Sequence, residues 1–126
     1  MVTIFGTEVP DYYHGVSLAT RHSASSIARE QIEKNKKNLR EVRFVLDPNL
    51  TAYYHAFVVI GSFQTPSTQD YHLIGQGRKD SIDQILAPHF TTKEKLPVDI
   101  RIIQSQLGKI EYKVYIKGEH DLTKRS

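Results

Sequence analysis

Cysteine is absent from the sequence of 126 residues, which excludes disulfide bonds, thiolate metal sites and cysteine nucleophiles. A chain without cysteine suits a reducing compartment, and we expect a cytoplasmic protein. Long hydrophobic runs are also absent. The longest apolar stretch, AFVVIGSF at 56–63, falls far short of the roughly 20 residues that span a bilayer. The first ten residues lack the basic and apolar regions of a signal peptide.

Motifs of the common catalytic and metal sites are missing too. The six histidines show no metal-ligand spacing such as H-E-x-x-H, and no G-x-S-x-G nucleophile elbow occurs. Neither of the two glycine-rich phosphate signatures, G-x-x-x-x-G-K-[ST] and G-x-G-x-x-G, is met. We therefore predict no metal, no cofactor and no catalytic residue.

The composition is that of an ordinary globular domain, with 39% hydrophobic and 25% charged residues. Lysine and arginine number 17 against 14 acidic residues, and this small excess permits an anionic partner without requiring one. No internal repeat, low-complexity stretch or linker is evident. We expect one globular domain over 1–118, followed by a mobile polar tail over 119–126.

Hydrophobic periodicity predicts an α+β domain with the element order β-α-β-β-β-α-β-β. We expect a mainly antiparallel sheet of five to six strands, one long amphipathic helix packed on one face and one short helix. Residues 6–22 are expected to be irregular, because proline, aspartate and glycine interrupt them. The predicted strands lie at 2–5, 42–46, 53–63, 71–75, 98–104 and 109–117, and the predicted helices run from 23 or 25 to 39 and from 80 or 81 to just before Pro88.

The final hairpin has a predicted register, with Gln106, Leu107 and Gly108 as its loop. In this register Arg101 lies opposite Lys113, on the face away from the isoleucines, with Tyr115 nearby. Two like charges directly opposite each other are destabilising, and a bound phosphate would relieve the repulsion while the tyrosine stacks a base. The alternative is that neighbouring acidic residues neutralise the pair.

A second candidate anion site lies in IGQGRKDS at 74–81, where a strand leads into a helix start. Glycine lets backbone N–H groups approach an anion closely, and the helix N-terminus adds partial positive charge. We single out Gly75, Gly77, Arg78 and Lys79, together with the nearby His72. The alternative is a flexible loop whose cations are simply solvated.

These features favour a small non-enzymatic protein that binds phosphate-bearing ligands, either nucleic acid or a small nucleotide. One alternative is a metal-independent ribonuclease that uses histidine, arginine, lysine and tyrosine. Another is a structural or inhibitory protein-interaction component, viral or otherwise, that acts as an oligomer. The strand at 53–63 is apolar on both faces and needs cover on both, so we expect a homo-oligomer and favour a dimer.

The tripeptide Tyr-Tyr-His occurs at 12–14 and at 53–55, and Tyr71-His72 nearly repeats it. The three copies fall in different predicted contexts: an irregular segment and the starts of two strands. We therefore predict that the tripeptide is not a repeat unit. The first copy remains an aromatic loop able to line a pocket or an interface.

Overall fold

The computed structural model describes residues 2–4, 7–9, 13–47, 52–61, 67–90, 95–104 and 111–121. Within these residues the chain forms two α-helices, one short 3-10 helix and eight strands. In chain order they are β1 (Val2–Ile4), β2 (Thr7–Val9), β3 (His14–Thr20), α1 (Ala24–Asn35), the 3-10 helix (Lys36–Asn38), β4 (Leu39–Leu46), β5 (Tyr53–Ile60), β6 (His72–Gly77), α2 (Lys79–Phe90), β7 (Lys95–Gln104) and β8 (Tyr112–Asp121).

Six of the strands form one antiparallel sheet in the order β3-β5-β4-β7-β8-β6, and β1 pairs with β2 in a separate hairpin. The α+β prediction, the antiparallel sheet and the order of strands and helices are confirmed. The segment at 6–22 is more regular than predicted, since it contains β2 and β3. Strand β8 continues to Asp121 and thus includes the first three residues of the segment predicted to be a mobile tail.

Both helices pack on the same face of the sheet. Alternation in β4 turns Val42, Phe44 and Leu46 toward the helices, where they are buried. Helix α1 turns Ala24 and Ala28 toward the sheet, where both are fully buried.

Helix α2 has twelve residues, as many as α1, and it runs through Pro88 to Phe90 although proline disfavours a helix interior. The ring of Phe90 packs edge-on against the ring of Tyr54, with centroids 6.2 Å apart. We attribute the continuation past the proline to this packing, because tertiary contacts override local propensity.

The predicted register of the final hairpin is wrong by two residues. Arg101 lies opposite Tyr115, not opposite Lys113, and Ile100 lies opposite Ile116. A shift of two residues leaves every side chain on its predicted face, so the alternation of polar and apolar residues cannot detect it. The loop residues on which the prediction rested, Gln106 to Gly108, lie outside the described residues.

The fold contains an internal repeat, which corrects the prediction that none exists. Residues 13–60 and 71–118 form two β-α-β-β units, and adding 58 to a residue number in the first unit gives its counterpart in the second. We call these units the first unit and the second unit. Identical residues occupy only a few paired positions, among them Tyr13/Tyr71, His14/His72, Ile27/Ile85, Arg43/Arg101 and Tyr54/Tyr112.

The pairing of the strands repeats with the same offset of 58 residues, and the repeat includes a register shift in each edge strand. The register between β3 and β5 shifts between Gly15 and Ser17, and the register between β6 and β8 shifts at the equivalent place, between Leu73 and Gly75. The units meet where β4 pairs with β7, and Arg43 lies opposite its own counterpart, Arg101. A pseudo-two-fold axis therefore passes between these two arginines. Tyr13-His14 and Tyr71-His72 are equivalent, whereas Tyr53 to His55 belong to a different strand of the unit.

Candidate functional site: a cleft between the helices and a buried polar cluster

A cleft of about 1010 Å³ opens between the C-terminal end of α1 and the start of α2. Its ten lining residues include four cations, two carboxylates and two amides. The lining residues are Ile32, Glu33, Lys34, Asn35, Lys36, Asn38, Arg78, Lys79, Asp80 and Tyr112. The cations outnumber the carboxylates, so the cleft carries a net positive charge.

One ion pair links the two helices at this cleft. The Lys79 ammonium donates a hydrogen bond to the Glu33 carboxylate, and both side chains are exposed to solvent. The hydrogen bond and the charge of Lys79 hold the pKa of Glu33 below its ordinary value, and the hydrogen bond to Glu33 raises the pKa of Lys79. Because solvent screens such exposed pairs, this link adds little to stability and opens readily.

The N-terminus of α2 adds a partial positive charge at the same place. Lys79 is the first residue of this helix, and Arg78 directly precedes it. The Arg78 side chain is exposed, and no hydrogen bond or ion pair joins its guanidinium to any other described residue. The cleft thus brings together a helix N-terminus and an uncommitted guanidinium.

The tyrosine of the cleft, Tyr112, is fully buried, and its hydroxyl has no hydrogen-bond partner among the described residues. Burial raises the pKa of Tyr112, so the hydroxyl keeps its proton and remains a donor. The counterpart in the first unit is Tyr54, whose hydroxyl donates to the Pro97 carbonyl oxygen at 2.6 Å. The two units therefore differ in the hydrogen bonding of this tyrosine hydroxyl, and the difference lies beside the cleft.

The structure divides the predicted ligand-binding residues between opposite faces of the sheet. Arg78 and Lys79 line the cleft on the helix face. Lys113 and Tyr115 alternate with buried residues that face the helices, so they lie on the other face together with Arg101. The sheet separates these two groups, and they do not form one site.

The two predicted glycines serve packing between β6 and α2. A Cβ on Gly75 would lie 2.9 Å from two carbon atoms of Ile85, and one on Gly77 would lie 2.8 Å from the Cβ of Ser81. Small residues, Ser17 and Ala19, occupy the equivalent positions of the first unit. The glycines therefore let the helix approach the strand closely.

His72 is exposed at the start of β6, opposite Ile116 and outside the cleft lining. Among the described residues, no histidine lines the cleft. Within the described residues, the cleft therefore offers no histidine as the general acid or base that the ribonuclease alternative requires.

A buried polar cluster occupies the middle of the face opposite the helices. Arg43 donates to Asp99 through two hydrogen bonds of 2.7 and 3.0 Å, and Arg101 donates to Glu41 through two of 2.9 Å. All four side chains are at least 95% buried. Arg101, which the predicted register placed against Lys113, is thus neutralised by a carboxylate of β4. We call these four residues the charge cluster.

A tyrosine from each unit covers the charge cluster. The Tyr13 hydroxyl donates to Glu41 at 2.9 Å, and the Tyr71 hydroxyl donates to Asp99 at 2.6 Å. The Arg43 guanidinium lies 5.2 Å from the ring centroid of Tyr13, and that of Arg101 lies 4.8 Å from the ring centroid of Tyr71.

Burial and the negative charge of Asp99 raise the pKa of Tyr71 to about 12. Burial and Glu41 raise that of Tyr13 as well. Tyr13 belongs to the predicted aromatic loop, and its role in the structure is to cap this cluster.

Sequence reasoning missed the most informative residue of the cleft, Tyr112. Lys34 and Lys36, at the basic end of α1, also line the cleft. The signal that would have found Tyr112 is its equivalence to Tyr54, which becomes visible only after the repeat is recognised.

The described residues contain no group of three or more metal-ligating side chains and no helix long and apolar enough to cross a membrane. In the comparisons with known proteins, no protein-family model, curated protein or solved structure matched this chain.

Proposed function

We propose that the protein binds a small phosphate-bearing ligand in the cleft between α1 and α2. The observation that carries the proposal is the contrast between two equivalent tyrosines. Tyr54 is hydrogen-bonded and covered by Phe90, whereas the buried hydroxyl of Tyr112 lacks a partner among the described residues and lies beside a cationic cleft. A buried polar group without a hydrogen-bond partner lowers stability by about 1–3 kcal/mol, and a ligand oxygen that accepts a hydrogen bond from the hydroxyl removes that cost.

The electrostatics of the cleft favour an anion with more than one oxygen. The N-terminus of α2 and Arg78 lie on one side, and Lys34 and Lys36 contribute from the end of α1. A phosphate group offers several oxygen acceptors, which suits donors that converge from two helices.

The size of the cleft and the burial of Tyr112 define the ligand further. A volume of about 1010 Å³ accommodates a mononucleotide or a sugar phosphate. The Tyr112 hydroxyl is buried, so a phosphate reaches it only after the side chains at the helix ends move aside, and the terminal phosphate of a small ligand needs the least displacement. A nucleic-acid backbone that runs across the surface presents only internal phosphodiesters, and we therefore propose a small phosphomonoester. Opening of the Lys79–Glu33 ion pair gives the phosphate access.

The test is calorimetric titration of inorganic phosphate, a nucleoside monophosphate, a sugar phosphate and a short RNA, at low salt. We compare the wild type with Tyr112→Phe and with its counterpart Tyr54→Phe. A hydrogen bond to a charged group contributes about 1.5–3 kcal/mol, so Tyr112→Phe should weaken binding at least about tenfold. Tyr54→Phe should leave the affinity unchanged.

The stabilities of the unliganded variants provide an internal control. Tyr54→Phe removes a hydrogen bond to a backbone carbonyl and should lower the free energy of unfolding by about 1 kcal/mol. Tyr112→Phe removes a hydroxyl that has no described partner and should not lower it. If no phosphomonoester binds, or if both variants bind as the wild type does, the proposal is wrong.

A further inference from the structure

We infer that the chain is two fused copies of one self-recognising unit, and that the surface by which each unit recognises the other also fits the matching unit of a second copy of this chain. The surface consists of β4 in the first unit and β7 in the second, together with the charge cluster. The inference is independent of the ligand proposed for the cleft.

The ion pairs of the charge cluster follow one pattern that occurs twice. Each unit carries an acidic residue and, two positions later, an arginine: Glu41 and Arg43 in one, Asp99 and Arg101 in the other. Each arginine binds the acid of the opposite unit, and each acid accepts from a tyrosine of its own unit. An antiparallel pair with this pattern is self-complementary, which is the property of an interface between identical subunits about a two-fold axis.

Each unit is otherwise complete in its own elements. It has its own helix, its own three-stranded sheet with the same irregularity in the edge strand, and its own capping tyrosine. From the other unit it takes a neighbouring strand, a set of counter-charges and apolar contacts in the shared core, such as Phe90 against Tyr54. The matching unit of another chain supplies all of these in the same form.

The length of the connection allows such an exchange. Strand β5 ends at Ile60 and β6 begins at His72, so the residues between them can span roughly 35 Å when extended. Ser67 already belongs with the second unit, because its carbonyl oxygen accepts a hydrogen bond from Arg101 at 2.9 Å. At the other end, Gly61 has a φ of +97°, where the backbone turns away from β5.

The experiment uses full-length chains with reversed charges. One variant combines Glu41→Arg with Arg43→Glu, a second combines Asp99→Arg with Arg101→Glu, and a third carries all four changes. In each of the first two variants, buried like charges face each other within the chain. In an exchanged dimer of the two, every acid meets an arginine again, because the two original units pair and the two reversed units pair.

We expect neither two-site variant to fold as a monomer; because the pattern is self-complementary, each one alone restores its ion pairs only by pairing like units of two copies. An equimolar mixture, refolded together, should give a cooperative transition and a species of twice the chain mass by light scattering. The four-site variant should fold as a monomer, because every acid again faces an arginine within one chain. This result would show that the fold tolerates the reversed charges. The inference is overturned if the four-site variant folds but the mixture does not associate. It is also overturned if the four-site variant stays unfolded or if either two-site variant folds cooperatively as a monomer.

Discussion

Replacement of Glu41 by glutamine should cost the protein a large part of its stability. The carboxylate of Glu41 is fully buried and accepts two hydrogen bonds from Arg101 and one from Tyr13. Glutamine preserves the shape of the side chain but removes the negative charge. The Arg101 guanidinium, which is 2% exposed, then faces a neutral amide without the carboxylate that offset its desolvation.

The magnitude follows from the burial of the pair. Removal of one partner of a buried ion pair costs about 3–5 kcal/mol. Small domains have a total stability of about 5–15 kcal/mol, so this loss is a large share of it. With a urea dependence of about 2 kcal/mol per molar, a loss of about 4 kcal/mol lowers the unfolding midpoint by roughly 2 M.

The assay is urea denaturation followed by circular dichroism, with Glu33→Gln as the matched control. Both substitutions remove a carboxylate that pairs with a cation, but the pair of Glu33 and Lys79 is exposed. The control should leave the midpoint unchanged, because solvent screens that pair. If Glu41→Gln costs less than about 1 kcal/mol, or no more than the control, the reasoning about the charge cluster is refuted.

Three further predictions concern packing, pH and the cleft. Gly75→Ala should destabilise the protein by about 1–3 kcal/mol, because the added Cβ would overlap the side chain of Ile85. Gly15→Ala should not, since no atom lies within 4 Å of the added carbon, and thermal denaturation compares the two variants. Tyr71 has a folded-state pKa of about 12 against an ordinary 10.0, so its contribution to stability is fully present below pH 10 and is lost as the pH rises through 12. Urea denaturation across that window should show a steeper loss for the wild type than for Tyr71→Phe, and equal slopes would contradict the assignment. Glu33→Gln should raise the affinity of the cleft for a phosphomonoester, because no carboxylate then competes with the ligand for Lys79. If the wild type binds the ligand and this variant binds it no more tightly, the ion pair does not control access to the cleft.

The alternation of residues along the strands predicts which face each side chain occupies, and the structure agrees for β4, β7 and β8. Alternation does not determine the pairing of β7 with β8, because a shift by two residues conserves the faces. Alternation with Val42 and Phe44 also places the charges of Glu41 and Arg43 on the face away from the helices. Their burial depends on Tyr13 and on strand β7, which are distant in the chain, so local patterns do not reveal it.

The internal repeat escapes sequence reasoning for a related reason. The two units preserve the apolar character of buried side chains more than their identity, as Ala28 and Leu86 illustrate in the two helices. The identical pairs are sparse, and Tyr13-His14 matches Tyr71-His72 only when the two edge strands are aligned. The difference in hydrogen bonding between Tyr112 and Tyr54, which draws attention to the cleft, cannot be recognised before the repeat itself is known.

The most direct test of the proposed binding site is an NMR titration of the full chain, labelled with nitrogen-15, with a nucleoside monophosphate. The account predicts saturable shifts of the amide signals of Lys79, Asp80 and Ser81 at the start of α2, and of the 3-10 helix at the end of α1. The same shifts should need at least about ten times more ligand in Tyr112→Phe and be unchanged in Tyr54→Phe. Shifts confined to Lys113 and Tyr115 on the opposite face of the sheet, or no saturable shift at all, would contradict the account.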